Sequence, residues 1–285
     1  MRMMLISEHP TSETQLSLAR AWSAYGEYEL VHASEARVGT DVVRPAVDVV
    51  LWRHVGKHHD LVTSVLLDAN ERGARVMNAP WISPWAGDKL VSALGLARAG
   101  VPVVATRSPQ SGWDGWGEPL VVKPAHGHGG ANVQLCMGAD ILEVVQGMAT
   151  LGESVVQPHV GPWGRDLRAY VVGGRCIALA RRIARPGEWR ANVDLGAHME
   201  ALEVSHDAAR IAEAATTALR LDWAGVDLID EEPWAVLEIS GEAGWRHLSA
   251  ATGVDVAHEL VAWAVSSARS LRAAAADQNR GLRGR

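Results

Sequence analysis

Asp227 and Glu238 each interrupt an otherwise apolar run, and acids in that setting are costly unless they do something. The first run is Leu221-Asp222-Trp223-Ala224-Gly225-Val226-Asp227-Leu228-Ile229, and the second is Pro233-Trp234-Ala235-Val236-Leu237-Glu238-Ile239-Ser240. Both read as short buried strands, separated by the turn-type stretch Asp230-Glu231-Glu232-Pro233. A hairpin would set the two acids side by side, and strand alternation places Val236, Glu238 and Ser240 on one face, Leu237 and Ile239 on the other. Two chemistries fit. Paired carboxylates with a hydroxyl oxygen from Ser240 suit a hard cation such as Mg²⁺, which takes carboxylates together with nucleotide phosphates. Alternatively, each acid pairs with a buried arginine. The two segments alone leave both open.

A second constellation lies upstream. Leu120-Val121-Val122-Lys123-Pro124 reads as a strand ending in a lysine, followed by Ala125-His126-Gly127-His128-Gly129-Gly130-Ala131-Asn132-Val133. Glycines let backbone amides approach a phosphate closely, so this loop suits a phosphate cover; a glycine-rich hairpin turn is the competing reading. It is neither G-x-x-x-x-G-K-[ST] nor G-x-G-x-x-G. The histidines of Arg53-His54-Val55-Gly56-Lys57-His58-His59 read as loop and helix-start residues, because no second ligand cluster accompanies them.

The elements that must position these groups alternate in type. Met4–Ser7, Glu29–His32 and Asp48–Trp52 read as strands. Between and after them come a helix from a Ser12/Gln15 capping box to Gly26 and another from about His59 to Gly73. This predicts a parallel α/β unit over residues 1–80. A third helix is expected from about Pro84 to Gly100, then a loop over Thr106–Glu118 that is a connection rather than a mobile flap. Ile141–Met148 reads as an amphipathic helix and Val155–Val160 as a strand running into a Pro-Gly hinge. Arg165–Val172 and Arg175–Ile183 flank Gly173-Gly174, a strong hairpin signal, with Asp166, Arg168 and Tyr170 on one face. Ser205 is expected to cap a helix, and a last helix to run from Val254 to about Leu271 before a polar, frayed or disordered tail.

At 285 residues the chain can bury a large core. Its net charge of −6 and lack of a long basic face argue against a nucleic-acid partner. No apolar run reaches membrane-spanning length, and the N-terminus runs straight into a strand, so no membrane association and a cytoplasmic location are expected. Cys136 and Cys176 read as reduced core thiols. The chain has 12 Trp and no Phe, and no physical account of that imbalance follows from the sequence.

In order, Ala86-Gly87-Asp88-Lys89-Leu90, Leu120-Val121-Val122-Lys123-Pro124 with its glycine loop, Val156-Gln157, Gly164-Arg165-Asp166-Leu167-Arg168 and Glu188-Trp189-Arg190-Ala191-Asn192 form a series. Ala224-Gly225-Val226-Asp227, Leu237-Glu238-Ile239-Ser240 and Ala251-Thr252-Gly253-Val254-Asp255-Val256-Ala257 complete it. As an ordered set over roughly residues 75–265 it resembles the ATP-grasp carboxylate–amine ligases, in particular the RimK-like α-L-glutamate ligases. Residues 1–75 match the domain that precedes them in that family by pattern only.

The resemblance implies an α/β (α+β) ATP-grasp fold, two α+β subdomains gripping ATP behind a small Rossmann-like N-terminal domain. The expected divisions are 1–80 for that domain, 81–155 for the lid with the glycine loop, 156–272 for the catalytic subdomain and 273–285 for the tail. It implies that a carboxylate is activated as an acyl phosphate and coupled to an amine, with glutamate one candidate, releasing ADP and phosphate. Carried over by position, Lys89, Lys123, Gly127, Gly129, Gly130 and Gln157 fall among the nucleotide-contacting residues. The backbone at Pro158 and Val160 would meet adenine, and Asp166 the ribose. Arg168 and Arg190 would neutralise the phosphoryl group, with Asn192 beside them, and Asp227, Glu238 and Ser240 would hold Mg²⁺, or Mn²⁺ in its place. The implied partners are a small-molecule or peptide carboxylate and an amino acid, and a dimer or tetramer of the chain.

Three departures stand out. The family usually has Asn where this chain has Ser240, often Glu where Pro158 stands, and Ser-Pro-Gly where Gly241-Glu242-Ala243-Gly244-Trp245-Arg246-His247 follows. That last segment, with His198, is the expected seat of substrate selectivity. The same departures motivate an alternative: a catalytically weakened descendant acting as a nucleotide-dependent binding module. A substrate of the D-Ala–D-Ala ligase or glutathione synthetase type is a further possibility, which fold alone does not separate.

Overall fold

The computed structural model describes residues 1–39, 46–82, 87–127, 129–138, 140–150, 152–204 and 206–283, with side chains as far as Asp277. Contacts divide them into two compact units, Met1–Ile82 with Asp255–Arg285, and Ser83–Val254.

The first unit begins with β1 (Arg2–Ser7), α1 (Glu13–Trp22), β2 (Glu27–His32), β3 (Val49–Trp52), α2 (His59–Glu71) and β4 (Arg75–Val76). The strands form a parallel sheet in the order β2-β1-β3-β4. Met3–Ile6 and Val49–Leu51 are buried throughout, the run of apolar residues that a parallel strand covered on both faces requires. Ser12 stands at the N-cap of α1, but its side chain makes no capping hydrogen bond. Gln15 does not close a capping box. It turns inward instead, where its Nε2 donates to Ser7 Oγ at 3.0 Å and its Oε1 accepts from Arg53 Nη1 at 3.1 Å, because three buried polar side chains satisfy one another there.

The second unit opens with α3 (Lys89–Arg98), whose N-cap Asp88 accepts from Val91 N at 2.8 Å. The expected earlier start at Pro84, and Ala86 of the motif, lie outside the described residues. β5 (Leu120–Pro124), β6 (Gln134–Cys136), α4 (Asp140–Ala149) and β7 (Ser154–Pro158) then build a three-stranded antiparallel sheet, β6-β5-β7, around Leu120, Val122, Cys136, Ile141, Met148 and Val156. Trp113 and Trp116 pack on that core, Arg107 stacks 4.3 Å over Trp116, and the Arg107 backbone pairs with Val156. The stretch Thr106–Glu118 is a pinned connection.

β8 (Arg165–Val172), β9 (Arg175–Ile183), β10 (His198–Leu202), α5 (Asp207–Ala218), β11 (Trp223–Leu228), β12 (Val236–Ser240) and α6 (Arg246–Thr252) follow. The strands form an antiparallel sheet in the order β10-β9-β8-β11-β12. One face carries Leu167, Ala169, Val171, Leu179, Val226 and Ile239 against Ala208, Ala212 and Ala215 of α5. The opposite face carries Asp166, Arg168, Arg182 and Asp227 beside Tyr170, which packs against Trp245. His206, not Ser205, is the N-cap of α5, accepting from Ala208 N at 3.1 Å; Ser205 lies outside the described residues, as does His128 in the glycine loop.

α7 (Val256–Arg283) returns to the first unit, packing on α1 and against β3 and β4. Leu260, Val261, Ala264, Val265 and Ala268 form its buried stripe at helical spacing. Where the sequence suggested a helix ending near Leu271 and a frayed tail over 273–285, the helix continues to Arg283, through the alanines 273–276, the strongest helix formers. The segment from Asp255 onward thus groups with the N-terminal unit and not with the residues expected to share its subdomain, 156–254.

Candidate active site

The polar face of the five-stranded sheet is built by register. Asp166 on β8 pairs with Arg182 on β9, Arg168 with Asp227 on β11, and Asp227 with Glu238 on β12; two residues on, Gly225 pairs with Ser240. The two carboxylates are therefore neighbours, yet their partners differ. Asp227 accepts from Arg168 Nε at 2.5 Å and Nη2 at 3.0 Å, and lies 2.8 Å from Arg182 Nη2. Glu238 sits 3.7 Å from the Nζ atoms of both Lys89 and Lys123. The buried-arginine reading describes Asp227, whereas Glu238 faces two lysines, a pairing that the strand segments alone did not suggest.

Arg182 was not singled out from the sequence. It is 3% exposed and clasps Asp166 through Nε (2.6 Å) and Nη2 (2.5 Å) while also reaching Asp227. The hairpin at Gly173-Gly174 taken alone would set Arg181 opposite Asp166; a bulge between Tyr170 and Val171 shifts the register by one and brings Arg182 there. Burial is the largest influence on both acids and pushes each pKa up. For Asp227 the two guanidiniums outweigh it, so its carboxyl is held below the usual range; for Asp166 burial prevails and the carboxyl is raised. Arg168 has room because residue 225 is glycine. A Cβ there would lie 2.4 Å from the Ala243 Cβ and 3.1 Å from Arg168 Nη1.

Lys123, at the end of β5, is buried, and desolvation lowers its pKa despite the nearby Glu238 carboxylate. Lys89 opens α3; its backbone N–H donates to Ala125 O at 3.0 Å and its Nζ to Gly127 O at 2.9 Å. These bonds tie the helix start to the glycine loop. The loop joins antiparallel β5 to β6, so it is a hairpin connection, and it also roofs a cationic group. Gly129 (φ +68°) and Gly130 (φ +74°) are left-handed, and Cβ atoms on them would lie 2.6 Å from Asp194 Oδ2 and Asn192 Oδ1 respectively. Arg190 completes the seat. Its Nη1 donates to Gly130 O at 3.1 Å, and its Nε and Nη2 grip Glu188 at 2.9 Å each. Arg190 hydrogen bonds draw the Glu188 carboxyl down to about 2. Glu188, which the sequence offered only as a motif neighbour, is the residue that aligns Arg190.

Elsewhere the expected site residues are placed as follows. Gln157 is buried; its side chain donates to Thr106 Oγ1 at 2.8 Å and its backbone pairs with Val121 in the sheet. Pro158 pairs with Leu120, His159 N donates to Pro119 O at 2.9 Å, and Val160 is half-buried. The His159 ring stacks on Trp163 with centroids 4.3 Å apart, and burial lowers its pKa. Ser240 Oγ accepts from Glu242 N at 3.2 Å. In the divergent segment, Tyr170 Oη donates to Ala243 O at 3.2 Å and Trp245 is buried, whereas Arg246 and His247 are exposed. His198 starts β10, 3.7 Å from Glu200.

Asp227, Glu238 and Ser240 offer oxygens only, on one sheet face, as a hard divalent cation requires. Glu238 is the accessible ligand, since neither lysine is within hydrogen-bonding distance of it. The Asp227 oxygens are engaged by Arg168 and Arg182, so Asp227 could meet an ion only if a guanidinium gave way. Lys89, Lys123 and Arg190 around the glycine loop suit a polyphosphate.

The family model for a RimK-like ATP-grasp domain matches residues 88–264. The glutamate--LysW ligase ArgX of Sulfurisphaera tokodaii is 24% identical over 242 residues, 81% of this chain and 85% of that protein. A probable alpha-L-glutamate ligase of Mannheimia succiniciproducens is 30% identical over 203 residues, 68% of each chain. Among solved structures, the ATP-grasp ligase PsnB complexed with a minimal precursor superposes with a TM-score of 0.71, at 19% identity, over 93% of this chain and 98% of its own, a likeness of fold. These likenesses do not favour the reading as a non-catalytic binding module.

Proposed function

The chain belongs to the RimK-like ATP-grasp family and is an ATP-dependent carboxylate–amine ligase. From that premise we propose that it activates the carboxylate of a small molecule or peptide as an acyl phosphate and couples it to an amine, with glutamate as one of the two substrates. The observation that carries this is the buried Lys123, whose charge is penalised by desolvation and only partly compensated by Glu238, so that it is set to receive an anion. Glutamate is favoured because the relatives are named as glutamate ligases.

In this reading Lys89 and Lys123 meet the phosphates under the glycine loop at Gly127, Gly129 and Gly130. Arg190, aligned by Glu188 and flanked by Asn192, neutralises the transferring phosphoryl group, and Arg168 assists from the sheet. The backbone at Pro158 and Val160 receives adenine, with Asp166 toward the ribose. Asp227, Glu238 and Ser240 would hold Mg²⁺, which would supply neutralising charge to the phosphates. No protein nucleophile is required: the substrate carboxylate attacks the terminal phosphorus and ADP leaves, after which the amine attacks the acyl carbon and phosphate leaves. The test is a phosphate-release screen of amino acids against candidate acids, with mass spectrometry of the product. Amide formation with stoichiometric ADP and phosphate supports the assignment; nucleotide binding without release across a broad screen overturns it.

A further inference from the structure

Asp227 accepts bonds from two arginines that are held very differently. Arg182 is anchored from two strands: it chelates both oxygens of Asp166 and reaches Asp227, with a side chain 4% exposed. Among the described residues, Arg168 bonds Asp227 alone, and its side chain is 16% exposed. Beside it is Gly225, where the missing Cβ leaves space 3.1 Å from Arg168 Nη1.

We propose that Arg182 is the permanent partner and positioning residue of Asp227, and that Arg168 is an exchangeable one which a divalent cation displaces. Resting on the ligase reading, this links two events: Arg168 vacates the carboxylate and becomes available to the phosphoryl group only when the cation is in place. Asp166, Asp227 and Arg182 together carry one net negative charge, which Arg168 cancels while it is bound; the further charge of Glu238 faces Lys89 and Lys123. With Arg168 still bound, one negative charge fewer is available, so guanidinium and metal compete for the same two oxygens. Arg182 cannot play the leaving part without abandoning Asp166, which is itself buried and would be left without its bidentate partner.

The experiment uses the full chain and a readout independent of turnover: Mn²⁺ binding followed by electron paramagnetic resonance of the free ion, without nucleotide and with ADP. Arg168→Met is expected to tighten Mn²⁺ about three- to tenfold, the scale of removing a partly exposed competing charge. Arg182→Met is expected to loosen it, with Arg182→Lys restoring part of the loss. Circular dichroism checks folding, and should Arg182→Met fail to fold, Arg168→Met decides. Unchanged or weaker Mn²⁺ affinity in Arg168→Met overturns the proposal. Failure of the ligase reading is separate, since it shows as absent phosphate release by the unaltered protein whatever the Mn²⁺ affinities.

Discussion

Asp227 and Glu238 are directly opposed across β11 and β12, yet one carboxylate lies among arginines and the other among lysines. The sheet thus presents two adjacent acids in different charge environments. One is fully hydrogen-bonded by planar guanidiniums, and the other is only approached by ammonium groups.

Glu238 should be the more sensitive of the two to loss of charge in the nucleotide-binding step. Glu238→Gln removes an interaction that raises the pKa of Lys123, while burial continues to lower it. The lysine therefore loses its proton at a lower pH than in the parent protein. Isothermal titration with ADP across pH should show the alkaline loss of affinity moving to lower pH, and turnover falling by roughly a hundredfold or more as metal and lysine alignment are lost together. An unmoved alkaline limb would show that Lys123 does not read Glu238.

Gly129→Ala and Gly130→Ala each place a Cβ 2.6 Å from a side-chain oxygen of the Glu188–Asp194 stretch and impose a left-handed conformation on alanine. The strain is about 1–3 kcal/mol at each position, or roughly ten- to hundredfold in nucleotide affinity if the loop relieves it by lifting. Titration of both variants with ADP checks this. Parent-like affinity would mean the loop yields without consequence.

Gly225→Ala should act on stability. The added methyl meets the Ala243 Cβ at 2.4 Å, and neither group has a flexible end to move. Overpacking of this kind costs about 1–3 kcal/mol, readable in a urea titration as a lower midpoint at an unchanged slope.

Glu188 gives a pH dependence whose sign is fixed. Its folded pKa of about 2 lies below the ordinary glutamate value of roughly 4.3, so between these the unfolded chain binds more protons than the folded one. The stabilisation from the Glu188–Arg190 pair is fully present above the unfolded value and is lost as the pH falls toward about 2. Glu188→Gln lacks this contribution. The stability gap between the two proteins should be widest at neutral pH and close as the pH drops through that window.

The elements that hold the site were largely legible because their patterns are local. The turn at Asp230–Pro233 sets Glu238 opposite Asp227, as the register shows, but strict alternation fails next to it: a bulge turns Val236 onto the apolar face with Ile239 and away from the face of Glu238 and Ser240. What escaped is non-local. Arg182 looked like one more residue in an Arg-bearing strand, and only pairing across the hairpin makes it the partner of Asp166. Gln15 satisfied a capping-box pattern, yet the buried Ser7 and Arg53 claim its amide, a competition no helical window contains. Strand β10 is an edge element of the sequence His198-Met199-Glu200-Ala201-Leu202, mostly exposed and without the apolar alternation that marks the others. The polar, arginine-bearing stretch after Leu271 carries no apolar stripe that marks it as helix, yet its alanines favour helix and α7 runs on through them.

The return of α7 to the first unit has a bearing on how the protein is made. Leu260 and Val261 fill the same unit as β1, so a ribosome that has finished the opening eighty-odd residues has not yet delivered everything their sheet is packed against. Synthesis of the N-terminal unit ends only after the intervening segment has emerged, and an alteration near the carboxyl end is chemically a change to the beginning.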